Sequence, residues 1–310
     1  MYGQFIVIFA LMFTGYFFRK IKVISEEMNQ GLNRFIVVFA FPCFIFQKVA
    51  GLDMSAELMT EFLIAFALSV GLFFVYGFLA WGYAKARRFP KACSGTAEVL
   101  MIFPNNAFMG FPIAYLFFGD LGLLFMLANN IAMNLTMFSF GVYILRRNDT
   151  EKGFSPKTMI RCVLNPNIIA LVTGLLFCLS GIRIPGTIDT YLLYIGAICT
   201  PMAMVFIGST LVGNSIIKII RNPIVLEAAL NKNFIYPVVT YLMLAFSPLP
   251  KMITAIMIFA ACFPSAAVAT LLVETEGKDS ELACAILVAT TAVSIVSLPF
   301  AVKLINLLIL

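Results

Sequence analysis

Phe103-Pro104-Asn105-Asn106-Ala107-Phe108-Met109-Gly110-Phe111-Pro112 interrupts a long apolar run, and its reading decides the fold. Proline removes a backbone N–H and clashes with the preceding helical turn. Two Pro, two Asn and one Gly in ten residues therefore predict a helix that unwinds near its middle. At membrane depth, unwound backbone is tolerated only inside protein or along a wet cavity. A second break, Phe263-Pro264-Ser265, follows at an offset of 160. Ser265 is of a type that N-caps a restarted half-helix. Each restarted half-helix aims free N–H groups and a partial positive charge at its break. Two such ends meeting at mid-membrane favour an anion; the plainer reading of the same residues is a pair of kinked helices with no ligand.

The rest of the chain says that the solvent is lipid. Of 310 residues, 62% are hydrophobic and 12% charged, and mean hydropathy is +1.00. Soluble domains run at roughly 45–50% apolar and about 25% charged. Ten apolar runs approach the roughly 20 residues that span hydrocarbon: 3–18, 29–49, 58–83, 92–117, 121–145, 163–180, 190–213, 223–246, 252–273 and 282–308. They are continuous rather than alternating, which predicts helices and not barrel strands. The first lacks a basic leader and a small-residue cleavage site, so a retained helix is expected rather than a signal peptide. The longest connection, 146–162, leaves no room for an extramembrane domain. There is no His, which excludes His-based catalysis, metal sites and pH switches. The seven Cys (43, 93, 162, 178, 199, 262, 284) include no C-x-x-C and read as small packing residues, so no metal or cofactor is expected.

Charge predicts the topology. With Met1 outside, the inner loops 19–28, 84–91, 146–162, 214–222 and 274–281 hold 15 Lys and Arg, against four outside. That bias is a positive-inside signal, and it accounts for the net charge of +6 without a nucleic-acid partner. Ten spans with both termini outside divide into five plus five, and an odd number per half makes the halves insert in opposite orientations. Pro42 and Pro201 differ by 159 residues, and Pro104 and Pro264 by 160. Inverted repeats with matched helix breaks are a transporter pattern, and the breaks point to the binding site. The expected domains are the five-helix repeats 1–147 and 158–310.

Several stretches resemble the auxin efflux carrier family, which includes plant PIN auxin exporters and bacterial carriers of malonate and related acids. Asn33 to Pro42 resembles the second PIN helix, and Pro104 to Pro112 its P-N-x-x-x-M-G-x-P crossover. Asn165-Pro166-Asn167 resembles the opening of its sixth helix, and Pro201 to Met204 its seventh. The resemblance covers nearly the whole chain. It implies an all-α integral membrane protein of ten helices, with helices 4 and 9 crossing at Pro104 and Pro264. It also implies a scaffold of helices 1, 2, 6 and 7 that often forms a homodimer, a moving domain of helices 3–5 and 8–10, and Asn105 as hydrogen-bond donor to a substrate carboxylate. PIN-like members keep an acidic residue in the third helix. Here Glu61 is the nearest, and it sits near the outer end of that span.

The predicted substrate-binding set is Pro104, Asn105, Asn106, Gly110, Pro264, Ser265, Asn130, Asn134 and Lys232. Ionisable groups inside spans are costly and usually face a cavity or a partner. Lys232, flanked by Asn231 and Asn233, falls about ten residues into span 8. It is a carboxylate ligand or a substitute for a cation if it lies deep, and an interfacial lysine if the span starts later. Glu98, one to two turns before the first break, reads as a proton-coupling carboxylate or as half of an ion pair. Asn129, Asn130 and Asn134 are polar within an apolar helix; Asn130 and Asn134 share a face, and the group either lines the site or ties helices together. The leading function is a secondary carrier of small organic anions in a plasma or bacterial inner membrane. The alternatives are a ligand-binding membrane sensor and a cation/proton antiporter, with an intramembrane enzyme disfavoured. No nucleotide-binding G-x-x-x-x-G-K-[ST] motif is present.

Overall fold

In a bilayer every backbone polar group must be satisfied internally, so apolar runs of this length fold as helices. The computed structural model describes residues 2–53, 55–147, 166–212 and 221–309, and side chains from residue 6 onward. Lys152, Lys157, Arg161, Cys162, Asn165 and Lys218, which entered the readings above, lie outside the described residues. Among the described residues all regular elements are helical. They are α1 (Tyr2–Lys20), α2 (Glu26–Ala50), α3 (Ala56–Ala86), α4 (Lys91–Ile102) and α5 (Asn106–Arg146). Then come α6 (Pro166–Ser180), α7 (Gly186–Thr210), α8 (Pro223–Leu230, continuing through a π-helical turn Asn231–Ile235 into Tyr236–Leu244), α9 (Lys251–Ala261), α10 (Ala267–Thr275) and α11 (Ser280–Leu308).

Five of these, α2, α3, α5, α7 and α11, are long and apolar enough to cross a membrane as single described helices. The rest differ from the ten runs for local reasons. The run 92–117 is cut between α4 and α5, and 252–273 between α9 and α10. At 1.5 Å per residue the 12 residues of α4 reach only about 18 Å, short of a roughly 30 Å hydrocarbon core. In turn, α5 is longer than one span because two runs merge. Gly119, at φ 67° and ψ −156°, breaks it into limbs 106–118 and 120–146, where the sequence places a span boundary. Pro42 and Pro201 do not end their helices. Pro201 lies within α7, and Pro42 follows a π-helical turn, Ile36–Ala40, inside α2.

Helices meet closely where side chains are absent. A Cβ on Gly15 of α1 would lie 1.9 Å from the Val205 carbonyl oxygen of α7, and one on Gly208 would lie 1.8 Å from that of Met12. Such backbone contact is the usual packing currency between helices in lipid, where the hydrophobic effect draws no helix to another. α2 packs on α6, α3 on α5, and α8 on α11, while α9 lies on α5 and α11 on α4. Large apolar side chains such as Phe78, Leu242, Val296 and Phe300 face outward, and a buried polar set gathers around the two breaks.

Candidate functional site

The two breaks cross and pair. Pro104 and Ser265 form an isolated antiparallel bridge. Asn105 N–H donates to the Pro264 carbonyl at 2.8 Å, and Ala266 N–H donates to the Phe103 carbonyl at 2.9 Å. The reason lies in the sequence. Phe103, ahead of Pro104, is extended at φ −93° and ψ 121°, as a residue before proline prefers. Each unwound segment exposes backbone groups, and the other supplies their partners.

The last carbonyls of α4 would otherwise be orphans. The Ser265 hydroxyl donates to the Leu100 carbonyl at 2.6 Å, and Lys232 Nζ donates to the Ile102 carbonyl at 3.1 Å. This corrects the expected role of Ser265. The N-cap of α10 is Ala266, with no side-chain cap, because pairing with Pro104 holds Ser265 in the bridge and starts the helix later. Its amide is held by Thr290 Oγ1 at 3.1 Å, so the serine closes α4 rather than opening α10. Lys232 is fully buried in the π-helical turn of α8. Its ammonium lies 5.9 Å from the ring centre of Tyr236, and no carboxylate among the described residues pairs with it.

At the other side of the break, Asn105 caps the limb 106–118. Its Oδ1 accepts from Phe108 N–H at 3.4 Å, and its carbonyl accepts from Met109 and Gly110. Its Nδ2 donates to none of the described residues, so one donor remains at the crossing. Gly110 packs against Met126, where a Cβ would meet the sulfur at 3.2 Å. Asn106 bonds to the second limb of α5. Its Nδ2 donates to Asn129 Oδ1 at 2.7 Å, and Asn129 donates to Ser69 Oγ at 2.9 Å. Its own Oδ1, buried, has no partner among the described residues. Asn130 and Asn134 are buried on α5 but join none of these bonds.

Two residues noted in the sequence outside the predicted binding set take part: Asn129 links α5 to α3, and Asn233 donates to the Thr290 carbonyl at 3.1 Å. Sequence reasoning missed others. Thr290 Oγ1 accepts from the Ser265 amide. Tyr76 and Tyr236 stack at 4.9 Å between ring centres, 7° from parallel, and the Tyr76 hydroxyl meets Thr240 Oγ1 at 2.6 Å. A signal was available for Thr290, which stands 160 residues after Asn130, the offset that separates Pro104 and Pro264.

Glu98 is buried, and Arg147 holds it with two bonds of 2.8 and 2.6 Å. Arg146 grips Glu276 next to it, at 2.5 and 2.8 Å. Arg87 pairs with Glu227 on the same face. These pairs fasten helix ends rather than the crossing itself.

A family model described as membrane transport protein matches residues 1–302. The chain belongs to that family. It is a multi-pass membrane transporter of the auxin efflux carrier family, and the family is one of transport proteins rather than enzymes. The transporter is similar, at 25% identity over 299 residues, to an uncharacterized transporter of Methanothermobacter thermautotrophicus, covering 94% of each chain. It is 23% identical over 243 residues to the uncharacterized transporter YfdV of Escherichia coli K12, covering 72% of this chain and 76% of YfdV. Over 210 residues it is 22% identical to an uncharacterized transporter of Methanocaldococcus jannaschii, covering 66% of this chain and 67% of that one.

Proposed function

We propose that this transporter carries small organic anions, mono- or dicarboxylates, by alternating access across a plasma or bacterial inner membrane, with both termini outside. One observation carries the anion reading. At the crossing of the two breaks stands the buried ammonium of Lys232, with no carboxylate among the described residues to neutralise it, and two half-helix N-termini and the free Nδ2 of Asn105 stand beside it. Each of these favours negative charge. A cation/proton antiporter would call for a carboxylate at the crossing itself, whereas the nearest along the chain, Glu98, stands six residues before Pro104 on α4.

Alternating access follows from ten spans in two inverted repeats, 1–147 and 158–310. Residue pairs support this reading. Pro42 and Pro201 differ by 159, as do Gly15 and Gly174, while Tyr76 and Tyr236, like Pro104 and Pro264, differ by 160. Packing repeats as well. Gly15 lies against Val205, and Gly174 lies against Phe46, the residue 159 before Val205. The stacked tyrosines and the paired prolines then sit on one pseudo-two-fold axis in the membrane plane. In this reading α1, α2, α6 and α7 form the scaffold, and a second copy covers apolar faces such as Phe13 and Leu176. The remaining helices carry the crossing as the moving body, and Glu98 is the carboxylate through which a proton would couple.

The test is uptake into proteoliposomes of a panel of mono- and dicarboxylates, with and without pH and sodium gradients. Saturable uptake of at least one carboxylate is expected. If no carboxylate moves or binds, the reading fails.

A further inference from the structure

A cavity large enough for a small anion lies away from the crossing, at the start of α4. It has a volume of about 230 Å³, below the roughly 300–1,000 Å³ of sites for drug-sized ligands. Thr96 lies five residues into α4 and seven before Phe103, so the cavity is about 10 Å along the helix from the break. Its walls include Lys91 and Ala92 of the first turn, Thr96, Ile144 near the end of α5, and Lys278 between α10 and α11.

Three features of this cavity point to an anion. First, α4 is 12 residues long and begins after Pro90, which supplies no side-chain cap. Cys93 and Ser94 N–H both turn back to the Pro90 carbonyl, and the Lys91 and Ala92 N–H groups bond to none of the described residues. Second, Thr96 is 1% exposed, and its Oγ1 has no partner among the described residues, although threonines elsewhere in these helices bond the carbonyl three or four residues back. A buried hydroxyl left without a partner costs about 1–3 kcal/mol, so a ligand oxygen that accepts from it recovers that cost. Third, two lysines flank the cavity.

We propose that this cavity binds a phosphate group on the face of the protein that carries Arg87, Arg88, Lys91, Arg146 and Arg147. The group is held by the α4 N-terminus, Thr96, Lys91 and Lys278. It comes from a lipid headgroup or from free phosphate, and it bridges α4, the end of α5 and the α10–α11 turn. The repeat provides an internal control. Pro250-Lys251 at the start of α9 stands 160 residues after Pro90-Lys91, yet position 256, the counterpart of Thr96, is Ile. The Pro-Lys start is thus shared by both halves, and the threonine is particular to this one.

The full chain is placed in phosphatidylcholine nanodiscs and its Tm measured in two arms, with inorganic phosphate against chloride at equal ionic strength, and with phosphatidylglycerol added to the disc. Tm rises in at least one arm, since a ligand bound only by the folded state stabilises it. A rise with phosphate alone identifies a free anion, and one with phosphatidylglycerol alone a headgroup. In the responsive arm Lys91→Ala with Lys278→Ala raises the half-saturating concentration at least about tenfold. Thr96→Val, isosteric and free of the unpartnered hydroxyl, raises it about threefold or more. Lys251→Ala and Asn105→Ala leave it unchanged, which separates this site from the crossing. No shift in either arm, or a shift that survives the double lysine variant, overturns the proposal.

Discussion

The Nζ of Lys232 lies 3.1 Å from the carbonyl oxygen of Ile102, closing the C-terminal end of a helix 130 residues away. A cation at that end is favoured by the helix dipole, and the contact holds the charge at the crossing. Burial without a carboxylate makes the charge costly, and the bond to Ile102 returns only part of that cost. Lys232→Met therefore keeps or raises Tm while carboxylate uptake falls at least about tenfold. Lys232→Arg, a planar fork in a site built around a point charge, also loses uptake. Uptake near the parent rate in Lys232→Met would remove the ammonium from the anion site.

Asn105 has two duties that substitution separates. Its Oδ1 caps the limb 106–118, and its Nδ2 is the donor left for substrate. Asn105→Asp keeps a capping oxygen and replaces the donor with negative charge. Asn105→Ala loses both, at a cost of about 0.5–2 kcal/mol of stability. Both variants lose carboxylate uptake, but only the alanine lowers Tm. Equal loss of Tm in the two would mean that the cap is not made by the side chain.

Glu98 and Arg147 form a buried two-bond pair, so removing either partner is not symmetric. Arg147→Met strands a buried carboxylate and costs about 3–5 kcal/mol, whereas Glu98→Gln leaves a neutral amide that still accepts from the arginine. The expected order of Tm is parent, Glu98→Gln, then Arg147→Met, and the double variant Glu98→Gln with Arg147→Met recovers part of the loss. Measured as uptake against pH, Glu98→Gln flattens the profile if this carboxylate carries the coupled proton. A profile with its parent shape would confine Glu98 to the ion pair.

The breaks were legible because Pro, Gly and Asn act through local backbone chemistry, which a single stretch of sequence displays. That Pro104 and Pro264 belong together was legible from their offset. What they bond was not. The bridge puts Ser265 rather than Pro264 opposite Pro104, a one-residue register that no local pattern encodes. The burial of Lys232 depended on where α8 starts, and Asn222, whose side chain accepts from Ile224 N–H, sets that start ten residues before the lysine. Asn129, and not Asn130 or Asn134, bonds Asn106 and Ser69, because helix rotation about its axis is set by packing against α3 and α9, which i, i+4 spacing cannot supply.

Glycine contacts give the last prediction, and it bears on the scaffold rather than the site. Gly15 and Gly208 sit where α1 and α7 touch backbone to backbone, and a Cβ at either would overlap a carbonyl oxygen. Gly15→Ala must push the helices apart. Overpacking of this kind costs about 1–3 kcal/mol or more. Gly174→Ala meets Val49 Cβ at 3.1 Å and Phe46 O at 3.3 Å, contacts that a small shift relieves, so its Tm falls less. Gly31, on α2, has nothing within 4 Å of an added Cβ. Gly31→Ala should therefore raise stability by about 0.5–1 kcal/mol through helix propensity alone. The measured order of Tm should be Gly31→Ala, parent, Gly174→Ala, Gly15→Ala. A Gly15→Ala protein as stable as the parent would show that α1 does not pack against α7 in the membrane as closely as the structure has it.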